Sequence, residues 1–144
     1  MDSSENKLYT ITDCKLMTFG KHHRPNGNLT VVAGGEDVQF DIRRVYYIYD
    51  VPSGEDRGGH AHKNLQQLII AVSGSFDVVI DDGSSRKTIT LNRPYCGLLL
   101  RPGIWRELNN FSSGAVTLVL ASDLFTEDDY IRDYKEFLAI KGLL

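Results

Sequence analysis

The chain has 144 residues, 42% of them hydrophobic and 24% charged, which is enough apolar material for one core in one domain and too much for global disorder. A formal net charge of −3 excludes a general nucleic-acid binder, which needs a basic face. No apolar run approaches the ~20 residues of a transmembrane helix, and the polar opening at residues 1–6 lacks the layout of a signal peptide, so a cytoplasmic protein with no membrane or nucleic-acid partner is expected.

Turn signals punctuate the chain closely, from Pro25-Asn26-Gly27 and Gly34-Gly35 through Pro52-Ser53-Gly54 and Asp82-Gly83 to Asn92-Arg93-Pro94 and Ser112-Ser113-Gly114. The runs between them, rich in Val, Ile, Tyr and Leu, predict strands over 29–32, 42–49, 67–72, 75–81, 87–91, 97–101 and 115–121, in the pattern of a sandwich or barrel. In the run 75–81, Phe76, Val78 and Ile80 alternate with Asp77 and Asp81, as in a half-buried antiparallel strand. Asp82-Gly83 suits a tight turn after it, since Gly accepts positive φ. Near the C-terminus Thr126 can cap a helix. Tyr130, Ile131, Tyr134, Phe137 and Leu138 recur at helical spacing, predicting one helix over about 127–140 packed on the barrel. The expected organisation is a single domain over 1–144, with a barrel at about 8–122 and that helix after it. Cys14 and Cys96 are too few for a disulfide framework or a metal knuckle and are expected to be idle thiols.

The segment Arg57-Gly58-Gly59-His60-Ala61-His62-Lys63 is the richest in chemistry. On an extended chain His60 and His62 point to the same side. Two imidazoles on one inner face suit a metal pair, a base with its helper, or hydrogen-bonded core groups. By the same two-residue period Arg44 shares a face with Tyr46 and Ile48.

Gly59-His60-x-His62-x4-Gln67-x6-Gly74 resembles the first cupin motif, and Gly97-x4-Pro102-Gly103-x2-Arg106-x3-Asn110 resembles the second. The resemblance implies an all-β cupin, a double-stranded β-helix or jelly-roll barrel, with a short C-terminal α-helix. Metal-binding cupins carry glutamate where this chain has Gln67 and a histidine where it has Arg106. A guanidinium offers no lone pair and a carboxamide is a poorer ligand than a carboxylate, so no metal is expected. Phe40 to Ile48, the Arg57–Lys63 segment, Gln67, Trp105-Arg106-Glu107-Leu108, Leu120-Ala121-Ser122 and Asp129-Tyr130-Ile131-Arg132 resemble the sugar-nucleotide 3,4-ketoisomerases. The likeness runs over about 11–137.

That family moves the ketone of dTDP-4-keto-6-deoxyglucose from C4 to C3, on the route to 3-amino-3,6-dideoxysugars for cell-surface polysaccharide such as O-antigen or other glycosylated products. The resemblance implies a homodimer without cofactor, with His62 as base and His60 assisting through an enediol or enediolate. Arg44, Tyr46, Arg57, Gln67, Trp105 and Arg106 are the expected substrate contacts: arginine for diphosphate or enediolate oxygen, aromatic rings, Tyr47 included, for thymine or sugar. Two other functions fit a cupin of this kind, a 3,5-epimerase acting on the same ketosugar and a sugar-binding cupin without catalysis.

Overall fold

The computed structural model describes residues 9–144; the expected start of the barrel at residue 8 lies outside them. The strands are β1 (Lys15–Thr18), β2 (His22–Arg24), β3 (Gly27–Leu29), β4 (Arg44–Ile48), β5 (Arg57–His62), β6 (Gln67–Ser73), β7 (Phe76–Asp81), β8 (Arg86–Leu91), β9 (Cys96–Leu100), β10 (Trp105–Asn109), β11 (Val116–Ala121) and β12 (Tyr130–Ile131), followed by one helix, α1 (Tyr134–Ile140). Two five-stranded antiparallel sheets face one another, in the orders β1-β9-β6-β11-β4 and β12-β5-β10-β7-β8, and β2-β3 forms a separate hairpin. This is the jelly-roll barrel that the motifs imply.

Alternation along each strand sorts side chains between three apolar layers. The interior takes Ile69 and Ala71 of β6, Phe76, Val78 and Ile80 of β7, Leu98 and Leu100 of β9, and Val119 of β11. The outer face of the first sheet carries Leu68, Ile70, Leu99 and Leu120, and the segment before β4 covers it with Phe19, Val38 and Phe40. The outer face of the second sheet offers Ala61, Trp105 and Ile131, which Phe137 of α1 covers. Burial on both faces explains why β6 is apolar without interruption. It also explains Asp81, which is 3% exposed. Its outward carboxylate lies beneath α1, pairs with Arg86 at 2.9 Å and accepts from the Tyr134 hydroxyl at 2.7 Å.

Two expectations are corrected. The helix begins at Tyr134, not near 127. Residues Glu127–Asp129 form a 3-10 turn, Tyr130–Ile131 pair antiparallel with His62 and Ala61 of β5, and Asp133 caps α1 by accepting from the Lys135 amide at 3.2 Å. The helical spacing of Tyr130 and Ile131 coincides with that of the true helix, but the free edge of β5 supplies a ladder and takes them as strand. The strand expected over 29–32 ends at Leu29, and the chain then crosses the first sheet to cover it.

One irregularity sets the site. Between β5 and β10 the register shifts, so that Arg106 faces His60 while Glu107 faces Gly58. Gly59 is thus the extra residue of a β-bulge, at φ +78, next to Gly58 at φ +100. A Cβ on Gly58 would lie 3.2 Å from the Glu107 Cα. The bulge turns His60 and His62 to the interior after an exposed approach. Gly58→Ala is expected to lower stability by roughly 1–3 kcal/mol, read as a reduced midpoint of denaturant unfolding with unchanged slope.

Candidate active site

The barrel opens at one end into a cleft of about 390 Å³, whose walls include Arg44, Tyr46, Arg57, His60, Gln67, Arg106 and Tyr130. Period-2 alternation delivers Arg44 and Tyr46 from β4, and the bulge delivers His60 from β5. Gln67 opens β6, Arg106 follows Trp105 on β10, and Tyr130 comes from the short strand on the β5 edge.

Arg106 lies in the floor, 2% exposed. Its Nη1 donates to Gln67 Oε1, its Nε donates to the Ile104 carbonyl at 3.4 Å, and Gln67 Nε2 in turn donates to the Tyr46 hydroxyl at 3.0 Å. Burial pulls the guanidinium below its ordinary pKa, but that starting value is so high that the group stays cationic. Burial raises the Tyr46 phenol, against the opposing effects of Arg106 and the Gln67 bond, so it remains protonated and available as a donor. Arg44 stacks its guanidinium 5.3 Å from the Tyr46 ring centroid and 5.7 Å from that of Phe125. Arg57 stands at the exposed rim.

The two imidazoles meet edge to face, with ring centroids 4.9 Å apart. His62 is fully buried and its Nδ1 lies 3.0 Å from Asp129 Oδ2. Tyr130 packs on both rings, at 5.1 Å from His60 and 4.4 Å from His62. Among the described residues, four buried nitrogens converge here without a hydrogen-bond partner in the protein: Arg44 Nε, His60 Nε2, His62 Nε2 and Arg106 Nη2. Burial first, then the charge of Arg106, lowers the His60 pKa to about 2. Burial likewise lowers His62, to about 4, against the upward pull of the Asp129 bond. Both rings are therefore neutral at pH 7.

The donor set does not suit the metal of other cupins. Gln67 Oε1 is taken by a guanidinium, and that guanidinium puts a fixed positive charge where a third histidine would ligate.

Of the expected substrate contacts, Arg44, Tyr46, Arg57, Gln67 and Arg106 line one cleft with His60, and His62 lies beside them. Trp105 is corrected. It points out of the barrel, 5.2 Å from the Tyr134 ring and 5.7 Å from that of Phe137, with Nε1 donating to Glu107 Oε2 at 3.0 Å, so it anchors α1 and cannot stack on a ligand in the cleft. Tyr47 is likewise turned outward, 62% exposed. The sequence reading missed Asp129 and Tyr130 as site residues because it placed both on a helix; their signal was the quoted segment Asp129-Tyr130-Ile131-Arg132.

A barrel of this topology, with a histidine pair and a buried arginine where other cupins hold a metal, defines a cupin without the usual metal-ligand set. Residues 12–142 match the family described as FdtA, WxcM-like, C-terminal. A curated relative from Aneurinibacillus thermoaerophilus, a TDP-4-oxo-6-deoxy-alpha-D-glucose-3,4-oxoisomerase, is 43% identical over 123 residues, 85% of this chain and 88% of the relative. A 3,4-ketoisomerase structure from Helicobacter canadensis superposes with a TM-score of 0.88 at 45% identity, covering 90% of this chain and 98% of that one. A mutant of the 3,4-ketoisomerase QdtA from Thermoanaerobacterium thermosaccharolyticum, in complex with TDP-4-keto-6-deoxyglucose, gives 0.86 at 40% identity over 88% and 91% of the two chains. The chain belongs to the FdtA family. A dTDP-4-dehydrorhamnose 3,5-epimerase from Bacillus anthracis, at 18% identity and a TM-score of 0.74 over 85% of this chain and 79% of its own, shares the fold alone.

The neutral histidines make stability depend on pH. An unfolded histidine protonates near 6.5, whereas His62 in the fold protonates only near 4, so protons bind the unfolded chain first as pH falls. Stability is fully present above about 6.5 and is lost down to about 4, on the order of 3 kcal/mol from His62 alone. The denaturant midpoint is expected to fall across this window, and more shallowly in His62→Gln.

Proposed function

We propose that this protein is a 3,4-ketoisomerase that converts dTDP-4-keto-6-deoxy-D-glucose into the 3-keto-6-deoxyhexose. The observation that carries the reading is the neutral imidazole of His60 in the cleft with that of His62 packed edge to face against it, both Nε2 atoms unpartnered, beside the buried Arg106 guanidinium. Its support from relatives is the 43% identity to a TDP-4-oxo-6-deoxyglucose oxoisomerase.

The ketone at C4 acidifies the C3 proton. His62 Nε2 takes that proton, the C3–H pair becomes the C3–C4 double bond, and the carbonyl pair moves onto O4. Arg106, with Nη2 unpartnered and its charge shielded from water, stabilises the enediolate oxygen. The O3 hydroxyl then gives its proton to His60, which passes it to O4; the O3–H pair becomes the C3 carbonyl, and the C3–C4 pair takes a proton at C4 from His62 Nε2, leaving the ketone at C3 and both imidazoles neutral. Histidine suits both transfers because each imidazole is neutral at working pH. Gln67 fixes the floor by holding Arg106 on one side and Tyr46 on the other. Arg44 and Arg57 supply positive charge for the diphosphate in a protein that is acidic overall.

A homodimer is part of this reading, supported by Val45 and Tyr47 on the outward side of β4, an edge strand of the first sheet, and Tyr49 just after it, exposed by 53%, 62% and 60%. A cytoplasmic address goes with a nucleotide-linked substrate; among the described residues no helix is long and apolar enough to cross a membrane.

Proton NMR of the protein with dTDP-4-keto-6-deoxyglucose in deuterated buffer tests the reading. A 3-keto product carrying deuterium at C4, formed equally well with EDTA present, is expected. Deuterium at C3 and C5 with the ketone still at C4 would instead make it an epimerase, and an unchanged spectrum a binding protein. His62→Asn is expected to lower kcat by ~10²–10⁴ while calorimetry finds TDP affinity nearly unchanged, because the substitution leaves Arg44 and Arg57, the residues proposed for the diphosphate, in place.

A further inference from the structure

Next to the cleft, in a second pocket that His62 lines with Arg44 and Tyr130, the 3-10 turn brings up a carboxylate with no part in the steps so far. Asp129 is 9% exposed. One oxygen, Oδ2, faces His62 Nδ1 at 3.0 Å; the other accepts from the Asn64 amide at 2.8 Å, and the Asp129 carbonyl accepts from the Lys63 amide at 2.9 Å. The residues immediately after His62 thus grip the residue that faces its ring, so carboxylate and imidazole move as one unit.

We propose that Asp129 is a positioning residue for the isomerisation, which holds His62 in its Nδ1–H tautomer and supplies the countercharge while Nε2 carries a proton between C3 and C4. A carboxylate only accepts, so the bond requires the proton on Nδ1 and leaves the lone pair on Nε2. The other tautomer would present an N–H to the substrate and could take no proton from carbon. Countercharge is needed because the remaining groups around His62 oppose its protonation. His60 lies beside it on β5, Arg106 comes from β10 and Arg44 from β4, while Tyr130 on β12 brings a neutral ring. Among the described residues, no other carboxylate is hydrogen-bonded to His62. Burial and Arg106 lower the His62 pKa, whereas the Asp129 bond and charge raise it.

The role rests on the reading of His62 as base, and two measurements separate it from that reading. In histidine-labelled, otherwise unaltered protein at pH 7, nitrogen NMR is expected to find His62 protonated at Nδ1 and bare at Nε2; the reverse tautomer would overturn the proposal whatever any variant does. Asp129→Asn keeps an acceptor and loses the charge. Its kcat is expected to fall at least ~10²-fold, with KM and TDP affinity nearly unchanged. The acidic limb of kcat/KM is expected to move to lower pH, because the group that raised the His62 pKa is gone. A purely structural aspartate would cost folded protein without moving that limb. A folded Asp129→Asn protein with kcat within about threefold of the parent and an unmoved limb would overturn the role alone. Absence of ketone migration in the unaltered protein would overturn the function and this role together.

Discussion

A guanidinium carried into the centre of an apolar barrel must be answered by acceptors, and much of this site follows from how Arg106 is answered. One nitrogen is met by Gln67 and another by the Ile104 carbonyl. The remaining one is left to whatever enters the cleft. In the proposed reaction the arrangement would do for an oxyanion what a divalent ion does elsewhere, with a charge that neither dissociates nor exchanges ligands. The cost of burying it is high, and Gln67 earns its position by passing the load on to Tyr46.

Burial first, and the same charge after it, set the state of the histidines. Beside a fixed cation and away from water, an imidazole gives up its proton easily, which is why His60 and His62 both titrate far below their usual range. A base that must be neutral at rest and briefly charged in action is well served by such surroundings only if something opposes the cation. In this molecule that opposition comes from the far side, through Asp129. The proposed acid–base pair, its arginines and Asp129 are therefore one electrostatic unit, though they come from β4, β5 and β10, of two different sheets, and one turn.

Much of this was legible in the sequence. The inward alternation of Arg44, Tyr46 and Ile48, the shared face of His60 and His62, and the substitution of Gln67 and Arg106 into cupin positions were all readable from residue identity and a period of two. The residues around Trp105 were harder, because one-residue alternation sends Arg106 inward and Trp105 outward, and only the position of α1 decides which of the two meets the cleft. Asp129 and Tyr130 were illegible for a different reason. Apolar spacing near the C-terminus fits a helix and a strand-then-helix equally well, and the tie is broken by the open edge of β5, some 70 residues earlier in the chain.

That open edge has a bearing on how the protein is made. Strand β5 is bonded to β10 on one side and to the two residues of β12 on the other, and its outward Ala61 is sheltered by Phe137. During synthesis both covers emerge from the ribosome well after β5. Until they do, a strand bearing both histidines has an unpaired backbone edge and an uncovered apolar flank, the combination that invites pairing with another chain. The segment from Tyr130 onward thus completes the site and also ends its most aggregation-prone moment, so a stop codon a few residues before Tyr130 would leave a barrel that is both inert and sticky.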